Sequence, residues 1–192
     1  MGKNRIVFIT SFYKGERYIK RFVSNIKRVA KYIEREGDFE AVFAIVLNEP
    51  STITTDHFKS QASGYPLDLI ITERESVYAS WNRILAKYKD TSVFSVWNMD
   101  DFRFPKGTLK QARAIMDQVE PAIALGNYYQ LELSLWPLKF RYFKRVPAEN
   151  SPTPFLCFNN QAVECNGKFS EFFNSMIIFF GWNISNIYWL SC

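Results

Sequence analysis

Short apolar runs alternate with amphipathic segments along most of the chain. Apolar residues recur at helical spacing from Ile19 to Ile33, and Gly37 follows where a helix would end. The apolar runs that predict strands are residues 5–10, 41–47, 67–72 and 93–97. Strands that alternate with helices predict parallel βαβ units, and near-continuous apolar strands predict a sheet covered on both faces. We therefore predict an α/β fold with a mostly parallel, Rossmann-like sheet flanked by helices.

The C-terminal part of the chain has a different pattern. Residues 122–126 predict a fifth strand, and residues 129–135 alternate apolar with polar or small side chains. That alternation predicts a half-buried antiparallel strand, with residues 140–146 as its partner. Residues 155–166 predict a strand and then a helix that ends at Gly167. A small antiparallel element is therefore expected in the C-terminal third.

The composition is that of a globular protein. The 192 residues are 47% hydrophobic and 22% charged, which is enough apolar material for one domain with a substantial core. Aromatic residues reach 17%, and this density favours a deep core over a sugar-stacking groove. The three cysteines include no Cys-x-x-Cys pair, which favours a reducing, cytoplasmic compartment over a disulfide framework or a zinc site.

Basic residues are concentrated near the N-terminus and in residues 139–145, although the net charge is only +5. Such patches suit diphosphates, anionic lipid or nucleic acid, and a solvated helix face is the alternative for the first patch. No RNA-recognition or helix-turn-helix pattern is present, so we expect no nucleic-acid partner. The single histidine, His57, argues against a Ser-His or Cys-His catalytic design.

Two carboxylates follow the fourth predicted strand, at Asp100 and Asp101. Ligands bind at the carboxyl ends of strands in open α/β sheets, and Mg²⁺ typically pairs one or two carboxylates with substrate phosphates. A solvated turn that caps the next helix is the alternative interpretation. The chain has neither a Gly-x-Gly-x-x-Gly nor a Gly-x-x-x-x-Gly-Lys-Ser/Thr motif, which favours a metal-mediated diphosphate site over a nicotinamide or ATP site.

The segment Trp97-Asn98-Met99-Asp100-Asp101-Phe102-Arg103 resembles the metal-binding region of family 2 glycosyltransferases, which have the GT-A fold. It is most similar to a bacterial subset that reads Trp-Asn-x-Asp-Asp-Leu-Arg. The resemblance runs from about residue 5 to residue 173. It implies that Asp100, with Asp101 or Asn98, holds Mn²⁺ or Mg²⁺ on the diphosphate of a nucleotide-sugar donor.

Other segments resemble further parts of the same family. The loop that begins at Ser11 resembles the one after the first strand, which implies that Ser11, Tyr13 and Glu16 line the nucleotide pocket. For Glu16, a charge that complements the helix dipole is the alternative. Asn48 and Glu49 stand where an acidic residue touches the base or ribose. The remaining candidates lie under the donor or near its phosphates: Asn82, with Arg74 or Arg83.

The end of the chain departs from the family pattern. Members that invert the sugar carbon carry a catalytic base in an Asp-rich helix start, but residues 172–192 contain no acidic side chain except the weak acids Tyr188 and Cys192. The nearby carboxylates are Glu149, Glu164 and Glu171, and Glu171 is the candidate base. Three explanations stay open: truncation or a frame change after about residue 172, a glutamate base, or a donor-binding fold that does not transfer sugar.

The resemblance therefore implies a single GT-A-like domain over residues 1–192, with a nucleotide-binding part of about 1–126 and an acceptor-side part of about 127–192. The implied activity is metal-dependent, inverting transfer from a nucleotide-diphosphate sugar to a glycan, a lipid-linked or another acceptor. A non-catalytic module that binds nucleotide sugars or a partner is the alternative. Peripheral contact with the inner face of the membrane is a further expectation, because the tail is apolar while its Asn and Ser residues disfavour a spanning helix.

Overall fold

In the computed structural model, the described residues are 4–65, 67–91, 93–116 and 118, with the strand segments 122–126, 128–133, 141–146, 155–159 and 187–189. Their elements, in chain order, are β1 (Asn4–Phe12), α1 (Ile19–Glu36), β2 (Phe39–Asn48), α2 (Thr52–Gln61), β3 (Leu67–Thr72), α3 (Val77–Lys87), β4 (Val93–Val96), α4 (Pro105–Met116), β5 (Ala122–Gly126), β6 (Tyr128–Leu133), β7 (Arg141–Val146), β8 (Phe155–Asn159) and β9 (Ile187–Trp189). A short 3₁₀ turn, Glu16–Tyr18, leads into α1.

The predicted α/β fold is confirmed. Among the described strands, seven form one sheet in the order β3-β2-β1-β4-β8-β5-β9, and the four from β3 to β4 are mutually parallel. The antiparallel pair β6–β7 matches the predicted element in the C-terminal third. Strand β9 was not predicted. It pairs antiparallel with β5, and a strand of three residues is too short to show an alternating apolar pattern in the sequence.

Both faces of the parallel strands are covered, which explains their near-continuous apolar sequences. On one face of β1, Phe8 and Phe12 join the core beneath α1. Residues at the alternate positions, such as Ser11, point to the opposite face of the sheet towards α3, where the Ser11 hydroxyl contacts the Ser80 hydroxyl. Aromatic rings fill the α1 side, as the composition predicted: Phe8 stacks on Phe43 with centroids 4.7 Å apart, and Trp97 lies edge-on to both Phe8 and Phe22.

The helix ends follow local sequence rules. Gly37 adopts a left-handed φ of 79° and donates its N–H to the Ile33 carbonyl, which ends α1 where the pattern predicted. Ser51 caps α2 and Ser76 caps α3, each through a side-chain oxygen that accepts from a backbone N–H in the first turn. Within the described segments, no helix combines the length and the apolar character that crossing a bilayer requires.

Candidate functional site

The carboxyl ends of three parallel strands, β1, β2 and β4, lie at the same edge of the sheet. Strand β1 lies between β2 and β4, with Ser11 level with Val46 and Ile9 level with Val96. Beyond the ladder, Trp97 donates its N–H to the Ile9 carbonyl at 2.9 Å. The Thr10 hydroxyl donates to the Trp97 carbonyl at 2.8 Å. The loop after β1 and the acidic segment after β4 therefore leave the sheet side by side.

A buried polar network joins the ends of β1 and β2 to α3. The Asn48 amide nitrogen donates to the hydroxyls of Ser11 and Ser80, both at 3.1 Å. Its carbonyl oxygen accepts the backbone N–H of Glu75 at 3.0 Å and the Thr72 hydroxyl at 3.4 Å. Asn48 is 2% exposed, so its role in the structure is to hold the ends of β1 and β2 against α3.

Glu49 leaves β2 in a left-handed conformation with φ of 45°, and its N–H donates to the Thr72 carbonyl at 3.0 Å. Lys14 is the other described non-glycine residue with positive φ, at 50°, and it lies in the loop after β1. Such conformations are strained for side-chain-bearing residues and cluster at ligand-binding loops. Glu49 directly follows β2 and Lys14 is the second residue after β1, so both lie close to strand ends that the sequence predicted as part of the site, and Glu49 is exposed.

Tyr13 is exposed, and two cations lie close to its ring. The Arg74 guanidinium carbon is 5.0 Å and the Lys14 ammonium nitrogen 5.1 Å from the Tyr13 ring centroid. The second candidate phosphate contact is engaged elsewhere, because Arg83 donates two hydrogen bonds to the Glu75 carboxylate, the shorter at 2.8 Å. This ion pair lowers the pKa of Glu75, with the hydrogen bond from Arg83 as the largest cause.

The loop after β1 packs directly against the acidic segment. A Cβ placed on Gly15 would lie 3.2 Å from the Phe12 ring and 3.6 Å from the Met99 sulfur, so only a residue without a side chain fits this approach without displacement. Next to it, the Glu16 carboxylate accepts the Thr54 hydroxyl at 3.2 Å and ties the loop to α2. Glu16 is otherwise exposed.

The two aspartates have different environments. Asp100 is exposed, whereas Asp101 is half-buried and its N–H donates to the Asn98 carbonyl at 3.1 Å. Burial raises the pKa of Asp101, and the neighbouring charge of Asp100 raises it further. The nearby cation of Arg103 and a hydrogen bond with the Asn98 side chain act in the opposite direction without outweighing these effects.

Residues from α1 hold this acidic segment from beneath, and the sequence did not reveal them as site residues. Arg21 donates to the Asp100 carbonyl at 2.6 Å. Asn25, buried in the apolar face of α1, accepts the Arg103 N–H at 2.6 Å and donates to the Arg103 carbonyl at 3.0 Å. For Asn25, the available sequence signal was an amide side chain within the apolar stripe of an amphipathic helix, because a buried amide needs hydrogen-bond partners.

Arg103 itself turns inward. It is 2% exposed, its guanidinium donates to the Val96 carbonyl, and burial lowers its pKa to about 10. Its charge lies close enough to lower the pKa of Asp101. Arg103 therefore fixes the exit of β4 rather than reaching outward, and it places a positive charge beneath the aspartate pair.

The donor set at Asp100 and Asp101 fits a hard divalent cation. The charge of Asp100 raises the cost of ionising Asp101, and a cation that neutralises the two carboxylates would remove this cost. Within the described residues, no group of three or more His, Cys, Asp or Glu side chains could hold a metal by itself. Two carboxylates suit Mg²⁺ or Mn²⁺ that is shared with a phosphate-bearing substrate, rather than an all-protein metal cage.

Two predicted site residues remain, Asn82 and Glu171, and only Asn82 lies among the described residues. Asn82 lies half-buried on α3, two residues after the Ser80 that joins the polar network. Glu171, like Glu149 and Glu164, falls outside the described residues, so the identity of the base stays a prediction. The metal ligands and the direct nucleotide contacts also stay predictions.

The fold is of an α/β, Rossmann-like class, and it has structural neighbours of GT-A and nucleotidyltransferase type. S. aureus TarS (residues 1–349) in complex with UDP is 14% identical, with a TM-score of 0.63 over 88% of this chain and 52% of that chain. A second structure of the same TarS fragment gives a TM-score of 0.60 at 14% identity, over 87% of this chain and 50% of that chain. This chain therefore spans about half the length of those TarS chains.

A second type of structure is also similar. The 4-diphosphocytidyl-2C-methyl-D-erythritol synthase of Anaerococcus prevotii DSM 20548 is 10% identical, with a TM-score of 0.57 over 95% of this chain and 78% of that chain. Identities this low establish the fold alone. Neither a protein-family model nor a curated protein matches the sequence, so membership of family 2 stays a prediction.

Proposed function

We propose that the protein is a glycosyltransferase that moves a sugar from a nucleotide-diphosphate sugar to a glycan, a lipid-linked or another acceptor. The observation that carries the proposal is the Asp100–Asp101 pair at the end of a central parallel strand, packed beside the loop after β1. TarS, a glycosyltransferase, shares this fold and has a structure with UDP. The segment from Trp97 to Arg103 supports family 2 and inversion of the sugar carbon.

In this proposal the nucleotide lies over the ends of β1, β2 and β4. Tyr13 stacks against the base, and Arg74, whose guanidinium already lies near that ring, reaches the diphosphate. Glu49 is exposed at the end of β2, within reach of a ribose hydroxyl. Ser11 and Asn48 act from beneath, because their hydrogen bonds hold the loops that carry these contacts.

Asp100 and Asp101 are the proposed ligands of Mn²⁺ or Mg²⁺, and a bound ion would neutralise charge on the departing nucleotide diphosphate. Neighbouring residues of the chain hold these two carboxylates in position. Arg21 clamps the backbone of Asp100, and the hydrogen bond with Asn98 favours the ionised form of Asp101 that a cation requires. Glu171 is the proposed base that takes the proton of the attacking acceptor hydroxyl.

A non-catalytic module that binds nucleotide sugars is the second candidate. It is favoured by one observation, the absence of Asp, Glu and His from residues 172–192. In this alternative the same strand ends bind the donor, but no group removes the acceptor proton.

Nucleotide release from purified protein separates the two candidates. Incubation with UDP-, GDP- and dTDP-sugars and Mn²⁺ is expected to release the nucleoside diphosphate from one of them. Glu171→Gln is expected to slow release at least about 100-fold, the lower bound for a lost general base, while nucleotide affinity is kept. Glu34→Gln on α1 is the matched control and is expected to behave as wild type. Donor binding without any release would favour the non-catalytic module.

A further inference from the structure

The start of α4 exposes two aromatic rings side by side. Phe102 is 41% and Phe104 53% exposed, and the rings meet edge to face with centroids 5.5 Å apart. Both lie in the loop that connects β4 to α4. Adjacent exposed apolar side chains mark an interaction surface more strongly than scattered ones do. These two rings are therefore a candidate interaction surface.

Basic residues lie close to the rings in space or in sequence. The guanidinium carbon of Arg28 lies 4.3 Å from the Phe102 ring centroid. Lys106 and Lys110 are exposed one helical turn apart on α4, beginning two residues after Phe104. Helices α1 and α4 pack against each other on one face of the sheet. Their outer sides therefore form one continuous surface.

Most of the positive charge of this surface has no ion-pair partner within the described part of the chain; the exception is Arg21, whose charge acts on the nearby Asp101 carboxyl. Arg21 and Arg28 donate to backbone carbonyls, and none of the ion pairs formed there involves Arg21, Arg28, Lys106 or Lys110. By contrast, Arg113 further along α4 is paired with Asp38 at 2.6 Å. Arg28, Lys106 and Lys110 thus place charge without an ion-pair partner on the side of the molecule that carries the two rings.

We propose that this basic–aromatic face binds the anionic headgroups of a lipid bilayer, with the rings inserted at the interface; its residues are Arg21, Arg28, Phe102, Phe104, Lys106 and Lys110. Basic residues close to an anionic leaflet each strengthen binding, and Phe side chains supply apolar contact. Arg28 lies over the Phe102 ring, and the two rings meet edge to face instead of forming parallel platforms for successive bases. That geometry favours lipid over single-stranded nucleic acid.

Bound in this way, the protein would hold its acidic strand end close to the bilayer, because Arg21 contacts Asp100 directly. If the proposed function holds, a lipid-linked acceptor could then reach the donor without leaving the membrane. The binding itself does not depend on catalysis, since none of the six side chains is a proposed ligand of the donor or the metal.

Vesicle co-sedimentation tests the proposal. Wild-type protein is expected to bind vesicles of phosphatidylcholine and phosphatidylglycerol, to bind pure phosphatidylcholine weakly, and to be released by high salt. Lys106→Glu/Lys110→Glu is expected to weaken binding at least about 25-fold, at about fivefold for each of the two lysines lost and with further repulsion from the added carboxylates. Phe102→Ser/Phe104→Ser is expected to weaken it about tenfold or more at all salt concentrations.

Lys59→Glu/Lys89→Glu is the matched control, because it makes the same charge change at exposed positions elsewhere. It is expected to keep at least half of the binding, and circular dichroism spectra should be the same for all variants. Equal loss in this control, no binding to anionic vesicles, or binding to RNA in preference to vesicles would each overturn the proposal. UDP–Mn²⁺ binding measured without vesicles shows separately whether the proposed donor site fails.

Discussion

At the scale of single residues, Asp101 shows how burial and neighbouring charges at the end of β4 together set the pKa of a carboxyl group. Burial and the charge of Asp100 both raise its pKa above the ordinary value of 3.8, while Arg103 and Asn98 partly offset them. A carboxyl whose pKa is raised by folding favours the protonated form in the folded state. Its ionisation therefore costs stability at neutral pH, and this cost is absent in acid below the unfolded pKa.

Asp101→Asn is accordingly expected to raise the midpoint of thermal unfolding at pH 7. The gain should shrink as the pH falls through the raised pKa and vanish below about 3.8, where the wild-type carboxyl is protonated in both states. Mn²⁺ should raise the midpoint of the wild type and not that of the variant. Scanning fluorimetry between pH 3 and pH 8 measures both effects, with the exposed Asp90→Asn as control. A variant less stable than wild type at pH 7 would contradict this assignment.

Asn48 provides a second prediction at this scale. Asn48→Ala would remove the partner of the Glu75 N–H and of three hydroxyls, so a loss of about 2–3 kcal/mol of unfolding free energy is expected. Urea unfolding measures the loss, and Asn4→Ala, at an exposed strand end, should change the stability by less than about 0.5 kcal/mol. If Asn48→Ala also loses less than about 0.5 kcal/mol, the hydrogen-bond network contributes little to stability.

At the scale of elements, the sequence was informative wherever local chemistry decides the outcome. Apolar runs located the four parallel strands, and Gly37 and Ser76 marked helix boundaries that the structure confirms. Strand β2 extends to Phe39–Asn48, beyond the predicted residues 41–47, because pairing with β1 and β3 continues past the apolar run. The pairing of β9 with β5 depends on contacts distant in sequence, which a local pattern does not encode.

The cap of α3 can be tested directly. Ser76→Ala would remove the acceptor of the Ala79 N–H, so a loss of about 1 kcal/mol is expected. Because α3 carries Ser80, the same change should also weaken nucleotide binding slightly. Ser24→Ala, at an exposed position inside α1, is expected to be neutral or mildly stabilising because Ala is the better helix former there. Equal effects of the two substitutions in urea unfolding would rule out capping.

At the scale of the whole molecule, parallel topology gathers residues that are far apart in the sequence. The order β2-β1-β4 sets Asn48, Ser11 and Asp100 at one edge, as expected from the strand pattern. Sequence reasoning identified these strand-end residues. It missed Arg21, Asn25 and the inward turn of Arg103, because their roles arise from the packing of α1 against the acidic loop.

The central claim is that the carboxylates at the end of β4 bind a cation together with a nucleotide diphosphate. Titration calorimetry of UDP, GDP and dTDP with and without Mn²⁺ tests it most directly. The wild type should bind one of them with Mn²⁺ and at least about tenfold more weakly without it, Asp100→Ala should lose the Mn²⁺-dependent part, and Asp90→Ala should match the wild type. Unchanged Mn²⁺-dependent affinity in Asp100→Ala would contradict the account.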